Sequence, residues 1–102
     1  MNIKNFIKGW IIGNFEPSIF KTTEFDIGIL DLKSGEIGDG HFHKQHIEYN
    51  IIIYGKARIK DKIYSDGDIF IYNPFERSDV EYLSNTKILV IKTPATKNDK
   101  YY

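Results

Sequence analysis

The sequence predicts an all-β fold, and three observations carry that expectation. Apolar and polar residues alternate with period two from the twenties to Thr93, the pattern of strands with one wet and one buried face. Gly, Asn, Asp and Ser interrupt the alternation about every 8 to 12 residues, and no segment sustains the 3.6-residue period of an amphipathic helix. Short strands at that spacing point to a barrel or sandwich, because closure removes or protects the unpaired edges of a flat sheet.

With 102 residues the chain is long enough for one core and too short for two. It is read as a single domain over 1–102, with a barrel core at 25–93, an irregular N-terminal segment over 1–24 and a tail over 94–102. In chain order, strands are expected at 26–33, 40–44, 47–54, 56–60, 63–65, 68–72, 79–83 and 87–92. The clearest is 56–60, where Ala57 and Ile59 point one way and Lys56, Arg58 and Lys60 the other. Asp61-Lys62, Asp66-Gly67 and Ser84-Asn85-Thr86 supply the turns, since glycine and short polar residues tolerate turn backbone.

The run Tyr49 to Tyr54 breaks the alternation. If Glu48, Asn50, Ile52 and Tyr54 face inward, then Tyr49, Ile51 and Ile53 face outward, and the outer face is apolar too. A second copy of the chain is the economical cover for it, so a homodimer is expected.

Composition narrows the partners. Lys plus Arg balances Asp plus Glu at 14 each with no run of either sign, so neither nucleic acid nor anionic membrane has an electrostatic footprint. The absence of cysteine excludes disulfides, thiolate metal sites and cysteine nucleophiles. The first eight residues hold only a short apolar patch, and no stretch approaches the roughly 18 apolar residues of a membrane span, so a cytoplasmic protein is expected. No G-x-S-x-G elbow, phosphate-cradling glycine loop or H-E-x-x-H helix occurs.

The residues that remain with chemistry to offer are close together. His41 and His43 are two apart, so on extended backbone both imidazoles leave one face. Glu48 follows after a connection at 44–46, which lets the chain reverse and bring a carboxylate opposite the pair. Three metal ligands can meet there. His46, in the connection, reads as a solvated loop histidine. Asn50, Ile52, Tyr54, Phe70 and Tyr72 are candidate lining residues on inward positions, and the hydroxyls of Tyr72 and Ser78 are candidates to orient a ligand or move a proton.

The spacing Gly35, five residues, His41-Phe42-His43, four residues, Glu48, six residues, Gly55 resembles the first motif of the cupin superfamily in full. Gly67-Asp68-Ile69-Phe70-Ile71-Tyr72-Asn73-Pro74 is similar to the start of its second motif. The resemblance implies a cupin-type double-stranded β-helix, a jelly-roll barrel, with a divalent metal ion (Fe, Mn, Zn or Ni) on His41, His43 and Glu48. Metal-binding cupins typically add a histidine where this chain has Ser78. Asp79 stands next to it as a substitute oxygen ligand, although a strand that points Ser78 inward needs a bulge to do the same for Asp79. Two histidines and a carboxylate leave coordination positions open. By analogy the chain is expected to be a small-molecule metalloenzyme of isomerase or epimerase type acting on a sugar or sugar derivative held in the barrel. The alternatives are a noncatalytic module holding a carbohydrate or other small ligand, and an Fe(II)-dependent dioxygenase.

Overall fold

The computed structural model describes residues 1–95 and 98–102, so the part of the expected tail at 96–97 lies outside the described residues. Among the described residues a 3-10 turn, Ile3–Asn5, precedes eight strands: β1 (Trp10–Ile12), β2 (Asp26–Leu32), β3 (Ile47–Tyr54), β4 (Lys56–Ile59), β5 (Lys62–Ser65), β6 (Ile69–Tyr72), β7 (Val80–Tyr82) and β8 (Thr86–Thr93). They form a five-stranded sheet in the order β1-β2-β8-β3-β6 and a three-stranded sheet in the order β5-β4-β7, with every named pairing antiparallel. This is the jelly-roll arrangement expected from the sequence. Among the described residues no helix is long and apolar enough to cross a membrane.

The two sheets share one core. Ile52, Phe70, Tyr72, Ile88 and Val90 come from the large sheet and Ala57, Val80 and Tyr82 from the small one. The chain passes between sheets at Gly55, where only glycine fits. Its φ is 116°, and a Cβ there would lie 2.3 Å from the Thr86 hydroxyl oxygen. That hydroxyl accepts from the Lys56 amide (3.2 Å) and donates to the Ser84 carbonyl (2.8 Å), tying the corner to the start of β8.

Strand register organises the large sheet into rows. On the inner face Asp26, Lys92, Glu48 and Tyr72 are aligned across β2, β8, β3 and β6, followed by Gly28, Val90, Asn50 and Phe70. On the outer face the rows are Ile27, Ile91, Tyr49, Ile71 and Ile29, Leu89, Ile51, Ile69. Period-two alternation thus puts all the charged groups of these rows on the inner side of the wall and leaves the outer side uncharged, aliphatic but for Tyr49.

Two local expectations are corrected. Residues 40–44 form no strand of the sheets, and Phe42 makes only an isolated bridge to Tyr101. Gly40 takes φ 73°, and the Asp39 side chain accepts from the His41 amide, a local bond that competes with a ladder. Tyr54 is 47% exposed rather than inward. The β3–β8 register shifts between Ile52 and Tyr54, and this irregularity turns Tyr54 outward opposite Lys87.

Candidate metal centre

A cavity of about 500 Å³ opens between the sheets, with the inner row of β3 and β8 on one side and residues 36–43 on the other. Leu30, Leu32, Ile88, Val90 and Phe70 give it an apolar wall. His41, His43, His46, Glu48, Lys92 and Asp99 crowd one end.

Glu48 is on a strand paired on both sides, so its backbone is fixed by the sheet. Its carboxylate lies 3.3 Å from Asn50 Nδ2 and 4.0 Å from Lys92 Nζ. The Lys92 ammonium in turn sits 4.7 Å from the centre of the Trp10 ring. Trp10 lies flat against Gly28, where a Cβ would come within 2.6 Å of the indole.

The histidines are held differently. Main-chain bonds join the segment to the chain around Ser78: Gly38 N to Val80 O (2.7 Å), Gly40 N to Ser78 O (3.1 Å) and Ser78 N to His41 O (2.8 Å). On its other side the tail laces it down. Phe42 and Tyr101 exchange both main-chain bonds, at 2.8 and 2.9 Å. The Asp99 carboxylate accepts from the amides of Lys44 and Gln45, each at 2.9 Å, and of His46 at 3.2 Å. Lys100 Nζ reaches Asp39 at 3.0 Å.

The rings are oriented by their Nδ1 atoms. His41 Nδ1 contacts Asp39 Oδ1 and lies 3.1 Å from Ser78 Oγ. His43 Nδ1 contacts the main-chain carbonyl of Asp99, so its Nε2 faces Glu48 Oε1 at 3.9 Å. His43 is 7% exposed, and its Nε2 is buried with no hydrogen-bond partner among the described residues. A buried imidazole nitrogen beside a carboxylate, with the opposite nitrogen fixed by a carbonyl, fits a metal ligand. Burial lowers the pKa of His43, keeping it in the neutral form that ligation needs.

Of the residues singled out in the sequence, His41, His43, Glu48, Tyr72 and Ser78 all line this cavity. Asp79 does not. It is exposed between buried Ser78 and buried Val80, in plain alternation, and lines a separate surface hollow with Lys60, Lys62 and Arg77. No bulge turns it inward, so Asp79 is removed from the ligand set. Tyr72 Oη is buried without a hydrogen bond of good geometry, and burial, with the nearby Asp79 charge, raises its pKa.

His46 departs furthest from expectation. It is 3% exposed and lines the cavity, its ring centre 3.7 Å from that of His43. Burial, then the proximity of His43 and Lys92, pushes its pKa down to about 4. Burial works against the charge of Asp99, but the three amides of residues 44–46 outweigh it and hold that carboxyl below its usual range. Among the described residues, His43, His46 and Asp99 are the one trio of such side chains whose ligand-capable atoms all lie within 4.8 Å of one another, and such a group could hold a metal ion. Asp99 leaves no signal in the sequence. Lys92 does, since it shares the phase of Ile88 and Val90.

No protein-family model matches the chain, and no curated protein matches it in sequence. Solved structures do match. An uncharacterized conserved protein with a double-stranded β-helix domain from Klebsiella pneumoniae superposes with a TM-score of 0.70 at 12% identity, over 96% of this chain and 86% of its own. KdgF from a Halomonas species gives 0.66 at 17% identity, over 76% and 74%. Oxalate decarboxylase from Bacillus subtilis gives 0.63 at 20% identity, over 78% of this chain but only 24% of that longer one. The fold is the double-stranded β-helix these proteins share, and those that share it include enzymes.

Proposed function

We propose that the protein is a metal-dependent enzyme that moves a proton on a small polar metabolite, an isomerase- or epimerase-type reaction on a sugar or sugar derivative. The observation that carries the metal reading is the buried, unpartnered Nε2 of His43, set 3.9 Å from the Glu48 carboxylate inside a cavity of metabolite size. His43, Glu48 and His41 would hold the ion, which when bound supplies Lewis acidity at a substrate oxygen.

The chain's own groups account for the rest. The apolar wall of Leu30, Leu32, Ile88 and Val90 excludes water from the reacting end. Lys92, beside Glu48 and over Trp10, offers a fixed cation to charge that develops on a substrate oxygen. Tyr72 stays protonated and can donate to a substrate hydroxyl or carbonyl, while Ser78 Oγ helps to fix the His41 ring. Removal of a proton next to a carbonyl and its return to a neighbouring atom or the other face also needs an acceptor, and the Glu36 carboxylate, which lines the same cavity outside the metal set, is placed to take the proton and give it back.

Metal analysis of protein purified without chelator is the first test, with His43→Gln and Glu48→Gln beside the parent. One equivalent of metal in the parent, lost in both variants, is expected; a metal-free parent sinks the reading. Deuterium uptake from solvent into sugar phosphates and nucleotide sugars then tests the reaction class. Oxygen consumption by the Fe(II)-loaded protein without such exchange would assign dioxygenation instead. Ligand binding without turnover would assign a noncatalytic module.

We also propose that two copies pair through the outer face of the five-stranded sheet. Its two rows, aliphatic but for Tyr49, carry no charge, and Ile53, Ile69 and Ile71 are 47%, 57% and 45% exposed in the single chain. Two such faces related by a two-fold axis are self-complementary. A dimer on sizing, dissociated by Ile51→Lys or Ile53→Lys, is expected; a monomeric parent refutes the pairing.

A further inference from the structure

Three histidines line one end of the cavity, and one rule governs all of them. Each has an oxygen of the chain beside its Nδ1: His41 Nδ1 bonds with Asp39 Oδ1, His43 Nδ1 with the Asp99 carbonyl, and His46 Nδ1 lies 3.3 Å from Asp99 Oδ2. An imidazole held through Nδ1 presents Nε2, the arrangement that metal-ligating histidines adopt when a carbonyl or carboxylate takes the other nitrogen.

Backbone phase points the same way. His46 precedes Glu48 by two residues, as His41 precedes His43, so His46 and Glu48 leave the same face of the extended chain leading into β3. His46 and His43 are 3% and 7% exposed, and both face the cavity. Ser78, at the position from which a second-motif histidine would reach the ion, offers no nitrogen and is occupied with His41 Nδ1.

Asp99 fills a different part. Its two carboxylate oxygens already receive three main-chain amides and face the His46 ring. A carboxylate has about four acceptor directions, and the three amides take most of them. Its carbonyl meanwhile fixes His43. One residue therefore aims two rings.

We propose that His46 is a nitrogen ligand of the metal centre, standing in for the absent second-motif histidine, and that Asp99 is the positioning residue that aims His43 and His46 at the ion. The proposal rests on the metal reading above and deepens it: the nitrogen-rich set of His41, His43 and His46 with Glu48 suits a borderline cation such as Zn(II), Co(II), Ni(II) or Fe(II) better than Mg(II) or Ca(II).

Cobalt substitution tests it, because a thiolate placed on the ion announces itself. In His46→Cys loaded with Co(II), a thiolate-to-cobalt charge-transfer band in the near ultraviolet is expected, as in His43→Cys. His46→Phe, which keeps a ring but no nitrogen, is expected to lose affinity beyond the about 10–100-fold typical of a lost supporting contact. Asp99→Asn should fall within that about 10–100-fold range and keep the parent's cobalt spectrum. A band in His43→Cys but none in His46→Cys leaves the metal site standing and overturns the role of His46. Parent-like affinity in Asp99→Asn overturns the role of Asp99. A parent that takes up no Co(II) overturns the metal reading and this proposal together. The charge-transfer band is read on whatever folded fraction binds, so reduced stability of a variant does not mask it.

Discussion

The two halves of the candidate site are built on different physics. Glu48 stands on β3, which is hydrogen-bonded to β8 and β6 and backed by Ile52, a residue with no exposure. His41 and His43 stand on a segment outside the sheets' named strands, held by the chain around Ser78 and by Asp99 in the tail, 53 to 56 positions from the residues it grips. The carboxylate half inherits the stability of the core. The histidine half depends on a clasp of charge-assisted hydrogen bonds, which can open while the core stays intact.

Substitutions should separate the two. The largest effect is expected on the strand side: Ile52→Ala leaves a cavity between the sheets and should cost about 2–5 kcal/mol of global stability, read by denaturant unfolding with an unchanged slope. A loss under about 1 kcal/mol would mean that the core repacks and that the wall is less rigid than its pairing suggests.

On the histidine side, acid is the probe. In chelator-treated protein His46 titrates near 4, against about 6.5 in an unfolded chain. The folded state therefore binds fewer protons in that window, so stability is full above about pH 6.5 and falls as the pH drops toward 4, by on the order of 2–3 kcal/mol. Unfolding free energies at pH 7.5 and 4.5, compared with His46→Gln, check it; a variant with the same acid loss would place the titrating group elsewhere.

Asp99→Ala should come next, with about 1–3 kcal/mol from amides left without an acceptor. Its signature is local: faster amide exchange at residues 40–46 with little change in the exchange of β3. Equal acceleration in both would erase the distinction between the halves. The smallest effect belongs to the control, Arg58→Ala. Its 2.9 Å bond to Glu81 joins β4 to β7 at the surface, and exposed pairs contribute less than about 1 kcal/mol.

The same divide explains what is legible in the sequence. Strand β3 can be bounded to the residue, 47–54, because β-branched residues and alternation are written locally along a strand. The phase that puts Glu48, Asn50 and Ile52 inward, and Ile51 and Ile53 outward, follows from the same rule. The extended pattern at 40–44 resembles a strand for equally local reasons. What holds that segment is a partnership with Asp99 and Tyr101, and periodicity cannot register a contact across more than 50 residues. His46 defeats a sequence reading for the same reason: a polar residue in a turn is solvated by default, and its burial exists only because the tail arrives to cap the turn. Asp79 is the converse. Alternation alone directs its side chain outward, and the structure obeys it.

The clasp also makes occupancy of the cavity measurable from outside it. Whatever grips His43 and His46 together favours the docked tail, since the same Asp99 anchors both rings, and by linkage the tail's opening free energy rises with ligand concentration. A protease that cuts only the undocked tail would thus act as a gauge of binding, slowing as the site fills. The reporter needs no knowledge of the reaction, and it converts a search for the protein's natural ligand into a screen for compounds that protect a peptide bond.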